Sequence, residues 1–436
     1  MRVQPGEIVP SGSRVTPGKV IQAVTQARRE IAQNPNSAAG YLLLGTALRE
    51  SSNFGAASRA LDRALALNPK LSSAWLQKGL IALQNATLGA TEGYFEKAVA
   101  VDPANAQARL ELAAILLRQG DFNNAQSQLE EVLHQDPRSA GAYDGLGFID
   151  LQQGNPRAAA EAFRHAVALR PSYPEAEENL GEALLQLGDA RGARAAFEKA
   201  LAAGLPDASM ATYGLASALK RLGETAQANS QFAKARQLIQ RRIATDRAQN
   251  ENNRGLQLWH SGDLNGAAAA FREAIAVEAT FAEAHNNLGG VLWQMKDVAR
   301  AQQEFASAVR DQSDFAKARN NLGNALLNEG RVGAAISQFR AALRSQPGLA
   351  SAHVNLALAL LRKADKQDAE AELHQALELD PTIGAAHLEL GMLLISLAGQ
   401  LTPEARHELE AGLRLEPQLW SALPADVYEA LVLGND

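Results

Sequence analysis

The residues with the clearest chemical pattern are asparagines that recur every 34 positions in the C-terminal half of the sequence. Asn253, Asn287, Asn321 and Asn355 form this column. Asparagine is a poor residue for a helix interior because its side chain competes for backbone hydrogen bonds. Its amide offers both a donor and an acceptor, so it can pair with the N–H and C=O groups of any peptide. The column therefore predicts a surface that holds an extended peptide segment by its backbone.

Further asparagines and two tryptophans extend this candidate binding surface, and Asn328 lies close to it in sequence. The predicted peptide-binding residues are Asn179, Asn252, Asn253, Asn286, Asn287, Asn320, Asn321, Asn324, Asn355, Trp259 and Trp293. Tryptophan often contributes strongly to protein–protein binding, and these two are also 34 residues apart. Two other interpretations stay open: the tryptophans fill the core between helices, and the asparagines bond a neighbouring helix. If the asparagines bind peptide, replacing the column with alanine should weaken binding and leave melting nearly unchanged.

Catalytic and metal-binding patterns are missing from the sequence. The chain has no cysteine, which excludes disulfides, thiolate nucleophiles and cysteine-ligated metals. Its eight histidines do not follow metal-ligand spacing, and the sequence contains neither a His-Glu-x-x-His motif nor a phosphate-binding glycine loop. We therefore expect no catalytic residues, no metal and no cofactor, and a protein that is not an enzyme.

The charge and hydropathy of the chain favour a protein or peptide partner. Its formal net charge is −6 over 436 residues, whereas nucleic-acid binding requires a basic face that displaces counterions. No stretch approaches the roughly 20 apolar residues of a membrane-spanning helix. We expect no nucleic acid and no membrane span, and self-association is possible. Composition fixes no compartment, although a soluble, cytoplasmic protein is slightly favoured.

The asparagine column belongs to a repeat of 34 residues that covers most of the chain. Pro35, Pro69, Pro103, Pro137 and Pro171 follow one another with this period. Counted from Ala38 in the first repeat, position 8 is a small residue, positions 20 and 27 are mostly alanine, position 24 is mostly Leu or Phe, and position 32 is often proline. Small residues let two helices approach closely, and proline ends the second helix. Eleven helix pairs are predicted, starting at Ala38, Ser72, Ala106, Ala140, Pro174, Ser209, Ala248, Ala282, Ala316, Ala350 and Gly384.

This pattern resembles the tetratricopeptide repeat, written W-x2-L-G-x2-Y, then A-x3-F, then P. The resemblance covers roughly residues 20–419. It implies an all-α fold: a right-handed superhelical solenoid of antiparallel helix pairs, with about eleven 34-residue units. It also implies a non-enzymatic protein-interaction scaffold or adaptor, with a concave groove lined by the first helix of each pair. The asparagine column resembles the ladder in the repeats of O-linked N-acetylglucosamine transferases. His285, His353 and His387 occupy position 4, where the family usually packs an aromatic ring, and predict similar packing.

Breaks in the register suggest how the chain is divided. We expect an extended tail over residues 1–17, a lone capping helix over 18–36, six repeats over 37–242, five repeats over 243–419, and a capping helix and tail over 420–436. Between Pro206 and Pro347 there is no proline, so Gln231 to Asn253 is predicted to form an elongated helix or a helix with a short break. Two other functions remain open: a structural assembly or oligomerisation component, and the regulatory subunit of an enzyme complex.

Overall fold

The computed structural model describes residues 17–51, 53–84 and 88–433, and within them every element is a helix. The predicted all-α fold is confirmed. The predicted tail over residues 1–17 lies outside the described residues except for Pro17, which begins α1. The helices are α1 Pro17–Gln33, α2 Ala38–Glu50, α3 Phe54–Leu67, α4 Ser72–Gln84, α5 Leu88–Val101, α6 Ala106–Gln119, α7 Phe122–Gln135, α8 Ala140–Gln152, α9 Pro156–Leu169, α10 Pro174–Gln186, α11 Ala190–Ala203, α12 Ser209–Arg221, α13 Thr225–His260, α14 Leu264–Val277, α15 Ala282–Gln294, α16 Val298–Asp311, α17 Ala316–Asn328, α18 Val332–Ser345, α19 Ala350–Arg362, α20 Lys366–Leu379, α21 Gly384–Ala398, α22 Pro403–Leu415, a 3-10 helix Pro417–Ala422, and α23 Ala425–Leu433.

Predicted repeats two to five and eight to eleven each correspond to two consecutive helices that pack against each other. Where position 24 is phenylalanine, a small residue is required at position 8, because the aromatic ring lies directly over it. A Cβ atom on Gly147 would come within 2.8 Å of Cε1 of Phe163, and one on Gly181 within 2.7 Å of Cε1 of Phe197. Such distances are shorter than van der Waals contact, so glycine at this position sets how closely the pair can pack.

The turn between the two helices of a pair is built by glycine at position 15. Gly120 ends α6 with φ +81°, and its N–H bonds the carbonyls of the last turn. Asp121 follows and caps the N-terminus of α7 through its side chain. Lys296 and Ala364 occupy the same position in repeats eight and ten and also have positive φ, 68° and 65°. These two residues adopt a backbone conformation that favours glycine.

The long segment without a proline forms one continuous helix, α13, from Thr225 to His260. Its first part is the second helix of repeat six, and its last part is the first helix of repeat seven. No glycine turn separates the two parts, and no proline removes a backbone hydrogen bond within the range.

The contacts divide the chain into two compact units made of several segments each, and one boundary falls between Ile243 and Ala244. Unit one comprises the described residues of 34–45 and 58–243, and its core contains the phenylalanines at position 24 of repeats two, four and five. Unit two comprises the described residues of 17–33, 46–57 and 244–436, and its core contains Phe271, Phe305 and Phe339. At the C-terminal end of unit two, Val427 and Leu431 of α23 cover the apolar face of the last repeat, at Leu409 and Leu413.

Unit two contains contacts between residues that are far apart in sequence. Arg28 of α1 donates from Nη1 to the carbonyl oxygen of Leu377 in the last turn of α20, at 2.9 Å. Gln346 donates from Nε2 to the carbonyl oxygen of Ser51 at 2.6 Å. Helix α1 therefore packs with the C-terminal repeats, although it precedes the first repeat in sequence.

Position 4 of the repeats is a hydrogen-bonding position and not only a packing position. In His285, His353 and His387, the Nδ1 atom lies 2.6 Å from a glutamate Oε2 atom on the second helix of the same repeat. The Nε2 atom lies 3.0–3.2 Å from the carbonyl oxygen six residues earlier. Arg109 and Arg319 fill the same position and donate to the equivalent carbonyl oxygen at 2.8 and 2.6 Å. These side chains link the two helices of a pair, which the expectation of simple ring packing did not include.

Candidate functional site

The asparagines of repeats seven to ten bond one another in a ladder that runs across the repeats. In each rung, the position-6 asparagine donates from Nδ2 to Oδ1 of the position-5 asparagine in the preceding repeat. We call these six residues the Asn ladder. Its rungs are Asn287 to Asn252 at 3.0 Å, Asn321 to Asn286 at 2.9 Å, and Asn355 to Asn320 at 2.9 Å. The asparagines therefore do bond a neighbouring helix, through Nδ2 at position 6 and Oδ1 at position 5.

The ladder fixes which atom of the position-6 amide remains for a ligand in repeats nine and ten. The Nδ2 group of Asn321 and Asn355 is used in a rung, so a flip of either amide would break that hydrogen bond. Their Oδ1 atoms are left as acceptors at the half-buried surface. In repeat seven, Asn253 is exposed, and its Oδ1 atom accepts from Gln249 at 3.1 Å. In repeat eight, Oδ1 of Asn287 accepts from Nδ2 of Asn286 at 3.5 Å. Repeats nine and ten therefore present oriented acceptor atoms, which can receive N–H donors.

Asn179 lies in unit one, apart from the Asn ladder, in a buried polar cluster. It donates to Oδ1 of Asp144 at 3.4 Å, and the hydroxyl of Tyr173 donates to Oδ2 at 3.1 Å. Asp144 is fully buried and Asn179 is 3% exposed. Burial raises the pKa of the Asp144 carboxyl to about 6, and the two hydrogen bonds oppose that shift. Asn179 thus repeats the position-6 to position-5 rung, but with a carboxyl as its acceptor.

Both tryptophans line a cleft of about 460 Å³ in unit two. We call it the Trp cleft, and its lining residues are Trp259, Gly290, Trp293, Phe305, Asn321, Asn324, Leu327, Asn328, Asn355 and Arg362. Trp259 and Trp293 are half-buried and also pack against the core of unit two. Each ring therefore has one side in the core of unit two and another at the Trp cleft.

Trp259 is held in place from several directions. Its Nε1 atom donates to Oε1 of Gln294 at 2.7 Å. Its ring meets the ring of Phe271 edge to face, with 6.4 Å between centroids. Its far edge lies over Gly290, where an added Cβ would come within 2.5 Å of Cη2. The indole is consequently a fixed wall of the Trp cleft.

The polar rim of the Trp cleft includes groups that remain available to a ligand. Asn324 and Asn328 are one helical turn apart on α17, and their side chains bond no other residue that the structure describes. Arg362 is exposed and donates from Nη1 to the carbonyl oxygen of Leu327 at 2.6 Å. Sequence reasoning did not include Arg362 in the site. Its available signal was its place on the first helix of repeat ten, since the first helix of each pair was expected to line the groove.

The described part of the chain contains neither a candidate metal-binding group nor a candidate membrane-spanning helix. Across these residues, no group of three or more His, Asp or Glu side chains is arranged to hold a metal ion. None of the described helices is both long and apolar enough to cross a bilayer.

Three family models described as tetratricopeptide repeat match the sequence. The first matches residues 42–93, 252–301 and 291–350, the second 82–146 and 150–215, and the third 350–383. Together these matches span well over half of the chain. The chain therefore belongs to the tetratricopeptide repeat family.

Solved structures resemble the chain at low sequence identity, and no curated protein matches it. PilF of Pseudomonas aeruginosa is 20% identical, with a TM-score of 0.42, over 46% of this chain and 91% of PilF. A thermophilic repeat protein of Thermus thermophilus is 23% identical, with a TM-score of 0.35, over 43% of this chain and 99% of its own. A chain of the APC/C hetero-tetramer Cut9–Hcn1 is 18% identical, with a TM-score of 0.33, over 86% of this chain and 87% of its own. At these identities and TM-scores, the similarities support no conclusion about function.

Membership of the tetratricopeptide repeat family supports a protein-interaction scaffold. Proteins of this family and fold are typically non-catalytic scaffolds that bind other proteins. The fold by itself does not identify the binding site, because function depends on the particular side chains a repeat array presents.

Proposed function

We propose that the chain is a non-enzymatic scaffold that holds a segment of a partner protein on the Asn-lined surface of repeats seven to ten. This surface comprises the Asn ladder and the Trp cleft. Family membership supports the scaffold function, and the side chains of unit two support the location. Catalysis by this chain forms no part of the proposal.

One observation carries the location: polar groups with unused hydrogen-bonding capacity surround an apolar cleft. Trp293, Phe305 and Leu327 provide apolar surface, while Asn324 and Asn328 provide donors and acceptors that bond no described residue. A cleft with apolar walls and a few convergent polar groups is the usual form of a binding site. The oriented Oδ1 atoms of Asn321 in the same repeat and of Asn355 in the next repeat provide further acceptors.

Affinity capture of partners tests the location. The chain and its Asn324→Ala/Asn328→Ala variant would be used as bait in lysate of the source cells, and captured proteins identified by mass spectrometry. These two asparagines are preferable to the ladder asparagines because their loss removes no bond between described residues. Asn123→Ala/Asn229→Ala is the matched control, since both asparagines are exposed helical residues of unit one.

The proposal predicts partners that the control retains and the cleft variant loses. Partners held equally by all three proteins would place the binding site elsewhere on the chain and contradict the proposed location. If the only captured protein is the chain itself, the alternative function as a structural assembly component is favoured. If the partner is an enzyme whose activity changes on binding, the regulatory-subunit function is favoured.

A further inference from the structure

We propose that the Trp cleft selects a partner segment that carries one aromatic side chain with a carboxylate close to it in sequence. This inference rests on the proposed function, because it assumes that a peptide segment occupies the Asn-lined surface. It adds the chemical identity of the segment, which the asparagines alone do not specify, since amides pair with any peptide backbone.

The aromatic preference follows from the walls of the Trp cleft. Trp259, Trp293 and Phe305 all line it, and the Trp259 ring is fixed by Gln294 and Phe271. Aromatic rings pair favourably in edge-to-face and offset-stacked arrangements, and a fixed ring loses little entropy when another ring packs on it. A cleft volume of about 460 Å³ accommodates an aromatic side chain together with its flanking backbone.

The space for that ring depends on a single glycine. Position 9 of the first helix bears a side chain in ten of the eleven repeats, and Gly290 of repeat eight is the exception. Three other repeats hold leucine there, at Leu80, Leu256 and Leu358. A leucine at 290 would project into the Trp cleft and against Trp259. The cleft is thus a property of repeat eight and its neighbours, and not a consequence of the repeat pattern.

The acidic preference follows from the charge of the lining residues. Arg362 is the only charged residue among them, in a chain whose formal net charge is −6. One of its N–H groups bonds the Leu327 carbonyl, which holds the guanidinium at the rim and leaves other donors free. Among the residues that the structure describes, Arg362 has no carboxylate partner. A carboxylate on the bound segment would supply one, and guanidinium binds carboxylate with two parallel hydrogen bonds.

The backbone of the segment would be held by the asparagines beside it. The Oδ1 atoms of Asn321 and Asn355 accept backbone N–H groups, while Asn324 and Asn328 can both donate and accept. These contacts are independent of sequence, whereas the ring and the carboxylate are not. Specificity and backbone capture therefore reside in different residues and can be tested separately.

Selection from a displayed library of random peptides tests the inference. Peptides bound by the full chain would be sequenced and compared with those bound by Gly290→Leu, which fills the Trp cleft, and by Arg362→Gln. Arg221→Gln is the matched control, because Arg221 also occupies position 13 and donates to the carbonyl oxygen of Leu185, but in unit one. Circular dichroism verifies folding, and Trp293→Ala replaces Gly290→Leu if the latter does not fold.

We expect the enriched peptides to contain Trp, Phe or Tyr with Asp or Glu within about three residues. Gly290→Leu should lose the whole enriched set, Arg362→Gln only the acidic preference, and Arg221→Gln neither. For a selected peptide, replacing the ring with alanine should weaken binding about tenfold, on the scale expected for an interface hot spot.

Three results would overturn the inference. Enriched peptides that contain no common ring, and that the Asn324→Ala/Asn328→Ala variant fails to bind, would refute the aromatic preference and leave the proposed function intact. Failure to enrich any peptide would count against both the inference and the proposed function.

The chain has four tryptophans, whose indole N–H signals can be followed by NMR. If a neutral oligosaccharide such as chitotetraose shifts the Trp259 and Trp293 signals and the selected peptides do not, the ligand is a glycan.

Discussion

Asn321, at position 6 of repeat nine, donates a hydrogen bond of 2.9 Å to Asn286, at position 5 of repeat eight. The same relationship recurs in the rungs on either side. In Asn321 and Asn355 the amide nitrogen therefore connects adjacent repeats, and the amide oxygen is left as an acceptor at the surface. If this surface binds a partner as proposed, the same two side chains contribute to both stability and binding.

Replacing Asn287, Asn321 and Asn355 with alanine should destabilise unit two. Each substitution removes one inter-repeat hydrogen bond worth roughly 0.5–1.5 kcal/mol and leaves a buried or half-buried acceptor without its donor. This differs from the expectation from sequence, in which melting stays nearly unchanged. Urea unfolding followed by tryptophan fluorescence measures the effect. Asn253→Ala is the control, because Asn253 is exposed and forms no rung, and equal midpoints for both variants would contradict the structural function of the ladder.

Stability of unit two should depend on the protonation of His285. The hydrogen bond to Glu304 raises the pKa of His285 most strongly; burial lowers it, and the Ala279 carbonyl and the charges of Glu304 and Asp311 add to the increase. Because the folded pKa exceeds the unfolded value near 6.5, this stabilisation is complete below that value and is lost as pH rises through the folded pKa. Melting temperatures between about pH 5 and pH 9 should therefore fall more steeply for the native chain than for His285→Gln. Parallel curves would contradict this account.

Glycine at 296 and 364 should stabilise the chain. Both positions have positive φ, which costs a residue with a side chain roughly 1–2 kcal/mol, while glycine loses more backbone entropy on folding. We therefore expect Lys296→Gly and Ala364→Gly each to gain less than about 1 kcal/mol in unfolding free energy. The converse variant Gly330→Ala, at the same position of repeat nine with φ +76°, should lose stability. Denaturant unfolding measures all three, and a loss in both glycine variants would refute the argument.

Unit one should respond to pH through Asp144. Its folded pKa, about 6, lies above the usual value of 3.8, because burial disfavours the charged carboxylate. The folded state therefore binds the proton more tightly, so the contribution to stability is full below pH 3.8 and is lost as pH rises through about 6. Asp144→Asn removes this titration, and its unfolding free energy should change less across that window than that of the native chain. An unchanged slope would mean that Asp144 does not titrate as proposed.

The sequence predicted the helix pairs well because close helix packing constrains residue size. Gly147 is required under Phe163, and the positive φ of Gly120 favours glycine, so both recur with the period of the repeat. The rungs of the Asn ladder were not predictable, because the partner of Asn321 depends on how adjacent repeats are rotated. The bond from Arg28 to Leu377 joins residues 349 positions apart, and no local pattern in the sequence encodes it.

Part of the candidate site was also accessible from sequence. The period placed Trp259, Trp293 and the asparagines on the first helices of adjacent repeats, and several of them do line one cleft. The cleft itself depends on the absence of a side chain at Gly290, and an absent side chain gives a weak signal within a glycine-containing repeat. Arg362 was missed because its backbone anchor, the Leu327 carbonyl, is visible only in three dimensions.

Site-specific photo-crosslinking tests the central claim most directly. The chain has no cysteine, so a photoreactive maleimide can be attached to one introduced cysteine at a time. Asn328→Cys places it at the Trp cleft, and Ser337→Cys places it on the exposed face of α18. We predict that a captured partner cross-links through one short segment to position 328 and not to position 337. Cross-links from position 337 with none from position 328 would contradict binding at the Asn-lined surface.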